Sequence, residues 1–191
     1  MKKYKYLILI CLVIMALTAA AELGMGRLLL GPDGRFGWWE GSIWSQEQSQ
    51  RLVDPYSFSH IIHGIAFYAL LWLVARKLPK RYRFVLAVLL EAAWEILENS
   101  SFIINRYRTV TISLGYFGDS VLNSLSDIVM MAIGFIFASR VRVWVSLALV
   151  VGLELFMLWL MRDNLIINII MLIFPIEAIK NWQLAAPGAI Q

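Results

Sequence analysis

The feature that most constrains this chain is a series of six apolar runs, each close to the length of a membrane span. A helix needs roughly 20 apolar residues to cross about 30 Å of hydrocarbon. With 60% hydrophobic residues among 191, a water-soluble domain could not bury its apolar side chains. The sequence therefore predicts an all-α, polytopic membrane helix bundle in a single domain over residues 1–191. The predicted spans are approximately 6–21, 58–75, 84–97, 120–138, 143–160 and 165–179.

The positions of lysine and arginine predict the orientation, because cytoplasmic loops of membrane proteins carry an excess of both. Most of the 17 basic residues lie before the first run or in every second loop after it. They are Lys2, Lys3, Lys5, Arg76, Lys77, Lys80, Arg81, Arg83, Arg140, Arg142 and Lys180. We therefore expect both termini in the cytoplasm. The first run, which ends in Ala19-Ala20-Ala21, is also typical of a cleaved signal peptide, although the start at Met1 favours an uncleaved anchor.

Polar residues interrupt three consecutive runs near their predicted non-cytoplasmic ends. They are His60 and His63 in the second run, Glu91, Glu95 and Glu98 in the third, and Asp119, Asn123 and Asp127 around the start of the fourth. Steps of three and four residues place side chains on one face of a helix. An ionised side chain facing lipid at mid-bilayer costs roughly 2.5–3.5 kcal/mol, so we expect the three polar stripes to face inward.

Two histidines with nearby carboxylates are suitable ligands for a divalent metal, with zinc favoured. The expected ligands are His60 and His63, completed by Glu91, Asp119 or Asp127. Glu95 or Glu98 would then be the catalytic base that activates a metal-bound water. The same residues are equally typical of a buried hydrogen-bonded network that only holds helices together. The sequence leaves both alternatives open.

The segment after the third run carries Arg106 and Arg108, which would bind an anionic group of a substrate together with Asn123. Pairing with nearby acids is the alternative for both arginines. An intramembrane peptidase with Asp119 and Asp127 as its catalytic pair is less favoured. Eight residues on one helix separate these two carboxylates by about 12 Å, too far to share a proton.

The run that begins His63-Gly-Ile-Ala-Phe-Tyr resembles the start of VanZ-like membrane proteins. In that family a glutamate follows in the next span and Asp-x-x-x-Asn in a later one, at positions matched here by Glu95 (or Glu91), Asp119 and Asn123. Over nearly its whole length the chain is more similar to an uncharacterised family of small alphaproteobacterial inner-membrane proteins. Stretches 91–108, 115–127 and 175–183 carry that likeness, which implies a bacterial inner membrane and a periplasmic site.

Two functions follow from these observations. The first is a periplasm-facing, metal-dependent enzyme that acts on a membrane lipid or a lipid-linked headgroup. The second is a non-catalytic envelope or complex-assembly protein whose polar core is structural and which binds a protein partner. Whether the chain is an enzyme is left open by the sequence. No feature of it indicates a nucleic-acid partner.

Overall fold

The computed structural model describes residues 2–185, and within that range all of the regular structure is helical, as the sequence predicts. The helices are α1 (Lys2–Gly24), α2 (Ser57–Val74), α3 (Lys80–Glu98), α4 (Ser101–Val110), α5 (Val121–Ala138), α6 (Val143–Met161), α7 (Leu165–Ile173) and α8 (Glu177–Leu184). In the segment before α2, one isolated bridge pairs Trp39 with Val53. The all-α class is confirmed.

Four helices are long and apolar enough to cross a membrane: α1 from Lys5, α2, α5 and α6. Helix α3 has 19 residues, which at 1.5 Å per residue gives about 28 Å. It matches the other spans in length, but its first turn is basic and its last turns carry the three glutamates. These four long apolar helices identify the chain as a membrane protein. The predicted number of six spans is not confirmed.

The sixth predicted span, residues 165–179, is not one continuous helix. The chain forms two short helices instead, and α7 with nine residues covers only about 13.5 Å. Pro175 separates them, since proline lacks an amide donor and disfavours a helical residue before it. In α8, the Gln183 amide donates to Arg162 O at 2.9 Å and to Asp163 Oδ1 at 3.0 Å. Residues 165–184 thus form a hairpin, the C-terminal hairpin, that returns to the end of α6.

This hairpin changes the predicted topology of the C-terminal part. Lys180, expected on the cytoplasmic side, donates through Nζ to Thr109 O in α4 at 2.7 Å. It therefore lies at the same end of the bundle as Arg162 rather than at the opposite end. The final residues, 186–191, lie outside the described range, so the predicted position of the C-terminus stays a prediction.

The ends of α1, α3 and α6 meet the starts of α2, α5 and α7 at one end of the bundle, here called the site end. Backbone hydrogen bonds join its loops: Val121 N donates to Leu28 O at 2.8 Å, and Ser120 N donates to Ser49 O at 2.9 Å. Serine hydroxyls cap the nearby helices, with Ser120 accepting from Asn123 N at the start of α5. The three polar stripes therefore begin or end at the same level of the bundle, as expected from the sequence.

Helices α2 and α5 cross with their backbones almost in contact, because glycines occupy both sides of the crossing. A Cβ atom at Gly64 would lie 2.6 Å from Phe135 N, and one at Gly134 would lie 2.9 Å from the carbonyl carbon of Ile61. Close approach through small residues is typical of membrane helix pairs. At the crossing, the side chains of Met131 and Phe135 are buried in the apolar core. This crossing fixes the position of the α2 histidines relative to the α5 aspartate.

Candidate functional site

The centre of the site is Glu91 of α3, whose side chain is fully buried between the two histidines of α2. His60 Nδ1 lies 2.5 Å from Glu91 Oε1. His63 Nδ1 lies 3.1 Å from the same oxygen and 3.2 Å from Glu91 Oε2. The spacing of three residues places both imidazole rings on one face of α2, and their centroids are 5.1 Å apart. The structure thus brings together the histidine pair and one predicted ligand.

Two more carboxylates approach His60 from other helices. Glu95 Oε1 of α3 lies 3.4 Å from His60 Nδ1, and Asp127 Oδ2 of α5 lies 3.7 Å from His60 Nε2. Within residues 2–185, three of these carboxylate oxygens have no hydrogen-bond partner: both oxygens of Glu95 and Oδ1 of Asp127. Buried polar atoms are normally paired, since an unpaired one loses its hydration without compensation. These carboxylates therefore favour either protons or a cation among them.

The geometry of ligand atoms gives two overlapping sets. Among the described residues, His60, His63 and Glu91 offer ligand atoms within 4.8 Å of one another, and so do His60, Glu95 and Glu98. Asp119 and Asp127, which the sequence also proposed as ligands, belong to neither set. The two residues expected to act as base, Glu95 and Glu98, stand in the second set instead. The ligand and base roles themselves stay predictions.

Asp119 lies at the edge of the site rather than among the histidines. Its Oδ1 accepts a hydrogen bond from the Tyr116 hydroxyl at 3.0 Å, and its Oδ2 accepts one from Asn99 Nδ2 at 3.0 Å. The Asn99 side chain also accepts from Asp119 N at 2.7 Å. Burial raises the pKa of Asp119 to about 7, which its hydrogen bond from Tyr116 only partly opposes. Asp119 is therefore held by neutral donors.

A cavity of about 420 Å³ opens beside these groups. Its polar part contains His60, His63, Glu98, Asp119 and Asp127. Its apolar part is lined by Phe67, Leu90, Trp94, Leu97, Leu165, Ile169 and Leu172. Leu90 of α3 is 42% exposed and Ile169 of α7 is 45% exposed, so the apolar part reaches the outer surface of the bundle. The cavity is thus amphipathic and opens sideways.

Several site residues come from segments that sequence reasoning did not connect with the histidines. Tyr56, Tyr107 and Tyr116 line the cavity. The Tyr56 hydroxyl donates to Asp163 Oδ2 at 2.9 Å, across 107 positions of sequence. Burial raises the pKa of Asp163 to about 6. No periodicity predicts such contacts, because they depend on how loops meet at the site end.

The three residues expected to bind substrate have other contacts in the structure. Arg106 Nε donates to Leu172 O at 2.8 Å, which attaches α4 to the C-terminal hairpin. Asn123 Nδ2 donates to Arg51 O at 2.9 Å, although this residue also lines the cavity. Arg108 lines a separate cavity and donates through Nε to Tyr116 O. Their substrate-binding role stays a prediction.

The sequence is similar to bacterial proteins over most of its length. It is 50% identical over 172 residues to a UPF0314 protein of Paracoccus denitrificans, which covers 90% of this chain and 89% of that protein. It is 54% identical over 166 residues to a UPF0314 protein of Novosphingobium aromaticivorans, covering 84% of each chain. A third, from Agrobacterium fabrum, is 50% identical over 163 residues, with 85% of this chain and 82% of that protein covered.

No solved structure matches this chain. The resemblance to VanZ-like proteins stays a prediction. The family described as "Protein of unknown function (DUF2585)" matches residues 22–185, a range that contains every polar residue of the site. The chain therefore belongs to the DUF2585 family.

Proposed function

We propose that this chain is a metal-dependent hydrolase of the bacterial inner membrane that acts on a lipid or lipid-linked headgroup from the periplasmic side. The observation that carries the proposal is the convergence of His60, His63 and Glu91 at the polar end of a sideways-opening amphipathic cavity. The bundle contributes the ligands from helices rather than loops, so their positions are fixed by helix packing. Fixed ligands favour a functional metal site.

Support for a metal comes from the charge of the cluster. Three carboxylates, Glu91, Glu95 and Asp127, approach a single histidine, and several of their oxygens have no partner among the described residues. Like charges this close favour a cation between them. Histidine nitrogen with carboxylate oxygen is a ligand set that zinc accepts in catalytic sites, where one coordination position stays open for water.

Support for a lipid comes from the shape and lining of the cavity. Its apolar part lies between α3 and α7, with Leu90 and Ile169 at its outer surface. An acyl chain could enter there without leaving the hydrocarbon, while the headgroup would reach the histidines. Ligand sites generally combine a mostly apolar lining with a few polar groups that orient the reacting part.

The proposed chemistry is hydrolysis of an ester bond. A metal held by His60, His63 and Glu91 would lower the pKa of a bound water, and Glu95 or Glu98 would accept its proton. The water hydroxyl would add to the electrophilic centre of the ester, and the proton would pass to the departing alcohol. Reactants and products then differ by one water molecule, and no oxidant or reductant is required.

The first experiment is elemental analysis of the detergent-purified full chain beside the variant His60→Ala/His63→Ala. We expect about one equivalent of divalent metal in the wild type and its loss in the variant. Glu154→Gln in α6 is the matched control, because it removes a membrane acid outside both ligand sets. Absence of metal from protein refolded or purified with added zinc would overturn the proposal.

The direct contact of 2.5 Å between His60 and Glu91 favours a second candidate, a non-catalytic membrane protein in which this pair joins α2 to α3. A chelator separates the two. A bound metal stabilises the folded state by mass action, so the chelator should lower the unfolding temperature of the metal-dependent protein. If the network is structural, the chelator has no effect, and the histidine variant is destabilised with or without it.

A further inference from the structure

A second cavity of about 340 Å³ lies at the site end, between the end of α1, helix α4 and the segment that precedes α5. Arg27 and Arg108 both line it. We propose that this cavity binds a phosphate group, and that, on the proposed function, this phosphate belongs to the headgroup of the substrate. The sequence predicted an anion site of Arg106 with Arg108, whereas in the structure Arg108 lines one cavity with Arg27, 81 positions earlier in the sequence.

Both guanidinium groups are oriented by backbone carbonyls and not by acids. Arg27 Nη1 donates to Phe117 O, and Arg108 Nε donates to Tyr116 O. Among residues 2–185, neither arginine forms an ion pair within 4.0 Å. Arg27 Nε is buried and has no hydrogen-bond acceptor in the described chain. Because each guanidinium has five N–H donors, most of them are left for an anion.

The one carboxylate in the lining does not neutralise these charges. Asp119 is held by the Tyr116 hydroxyl and the Asn99 amide, each at 3.0 Å, and not by either arginine. The lining therefore holds two guanidinium groups and one acid, while Glu22 of α1, buried outside the lining, interacts electrostatically with Arg27 without an ion pair within 4.0 Å. Two cationic donors that remain unpaired beside a cavity are suited to the several oxygens of a phosphate.

The backbone of this segment is built to let Arg27 approach. Gly118 has φ of +98°, a conformation that residues with a side chain rarely adopt. A Cβ atom there would also overlap the Arg27 guanidinium and lie 2.8 Å from Asn99 Oδ1. Only glycine at this position leaves the space that the guanidinium occupies.

Helix α4 adds a third element to the anion site. Ser101 lines the cavity and is the first residue of this ten-residue helix, whose N-terminal end carries partial positive charge. Asn105, one turn later, contributes an amide. Asp119 also lines the histidine cavity, so the two cavities are neighbours on either side of this residue. A headgroup phosphate in the second cavity would place the rest of a lipid toward the first.

The test measures binding of inorganic phosphate to the full-length protein in detergent by calorimetry, in the presence of chelator. Charge-assisted hydrogen bonds lead us to expect at least about a tenfold loss of affinity for each arginine replaced. The first variant is Arg27→Gln/Arg108→Gln. The second is Arg108→Gln alone, which should keep the fold because Arg108 is exposed. Arg140→Gln/Arg142→Gln removes the same charge at the opposite end and should bind within twofold of wild type.

A second arm distinguishes a free phosphate from a lipid headgroup. The unfolding temperature is compared in nanodiscs of phosphatidylglycerol and of phosphatidylcholine, for the same four proteins. If inorganic phosphate binds and the binding depends on the arginines, the site takes a free phosphate group. If inorganic phosphate does not bind, but phosphatidylglycerol raises the unfolding temperature in an arginine-dependent way, the site takes a lipid headgroup. If neither probe shows an effect that depends on Arg27 or Arg108, the phosphate site is refuted.

Failure of this inference differs from failure of the proposed function. The variant His60→Ala/His63→Ala should lose metal and keep its affinity for phosphate. The arginine variants should lose phosphate affinity and keep their metal content. A phosphate site without metal would leave an anion-binding membrane protein, and a metal site without phosphate would leave a hydrolase for a headgroup of another chemistry.

Discussion

Replacing Gly64 with alanine should destabilise the whole bundle, because it separates α2 from α5, two of the helices that line the site. The added Cβ would lie 2.6 Å from Phe135 N and 2.9 Å from the carbonyl carbon of Met131, whereas ordinary contacts begin near 3.4 Å. Both neighbours are backbone atoms of α5, so no side-chain rotation relieves the overlap. Helices α2 and α5 must therefore move apart by about 1 Å, which weakens packing along their shared face.

The expected cost follows from this geometry. Overpacking a well-packed interface costs typically about 1–3 kcal/mol, and the upper end applies where backbone meets backbone. The matched control is Gly152→Ala in α6, where the added Cβ has no atom within 4 Å. That variant should be neutral or gain up to about 1 kcal/mol from helix propensity. For a chain of this size, a loss of about 3 kcal/mol lowers the unfolding temperature by roughly 6–12 °C.

The assay is thermal unfolding of both variants in the same detergent, followed by circular dichroism at 222 nm. Gly134→Ala, on the facing helix, should behave like Gly64→Ala, since its Cβ would lie 2.9 Å from the carbonyl carbon of Ile61. If Gly64→Ala unfolds within about 1 °C of Gly152→Ala, the close crossing of α2 and α5 is wrong.

Three further predictions concern the site end. Burial raises the pKa of Asp163 to about 6, so the folded state binds this proton more tightly than the unfolded chain and loses stability as pH rises from 4 to 8. Asp163→Asn should remove roughly 2 kcal/mol of that loss, measured as the free energy of unfolding at pH 4 and pH 8. Equal pH dependence in the two proteins would contradict this prediction. Arg106→Gln should speed amide hydrogen exchange in α7, because it removes the hydrogen bond from Arg106 Nε to Leu172 O. Unchanged exchange would mean that this hydrogen bond does not hold the C-terminal hairpin. Gly118→Ala should lower the free energy of unfolding by about 2 kcal/mol, because Gly118 has a positive φ. Gly115→Ala is the control and should change it little, since a Cβ atom there has no neighbour within 4 Å. Chemical denaturation of the two variants measures the difference.

The interior polar stripes could be predicted because their physics is local. A histidine pair three residues apart, and glutamates at steps of four and three, share helix faces whatever the rest of the chain does. The cost of charge in hydrocarbon then turns those faces inward. His60, His63 and Glu91 meet in the structure for this reason.

The C-terminal hairpin shows where this reasoning fails. The apolar run 165–179 has the composition of a membrane span. Composition alone does not predict that the helix breaks at Pro175, or that Gln183 forms a hydrogen bond with Asp163. No pattern in the sequence connects Arg27 with Arg108 either. The place of Arg27 beside Arg108 depends on how the segment before α5 packs between α1 and α4.

The sequence by itself determined that this chain is an all-helical membrane protein with three polar stripes near one end of its helices. Hydrophobic run length and helical periodicity are enough for that, because each acts within one segment. Only the tertiary structure decided which carboxylates reach His60, that α7 lines an amphipathic cavity, and that Arg27 and Arg108 line one neighbouring cavity. Those contacts join residues far apart in sequence, and their geometry is set by glycine crossings and loop packing that no local pattern encodes.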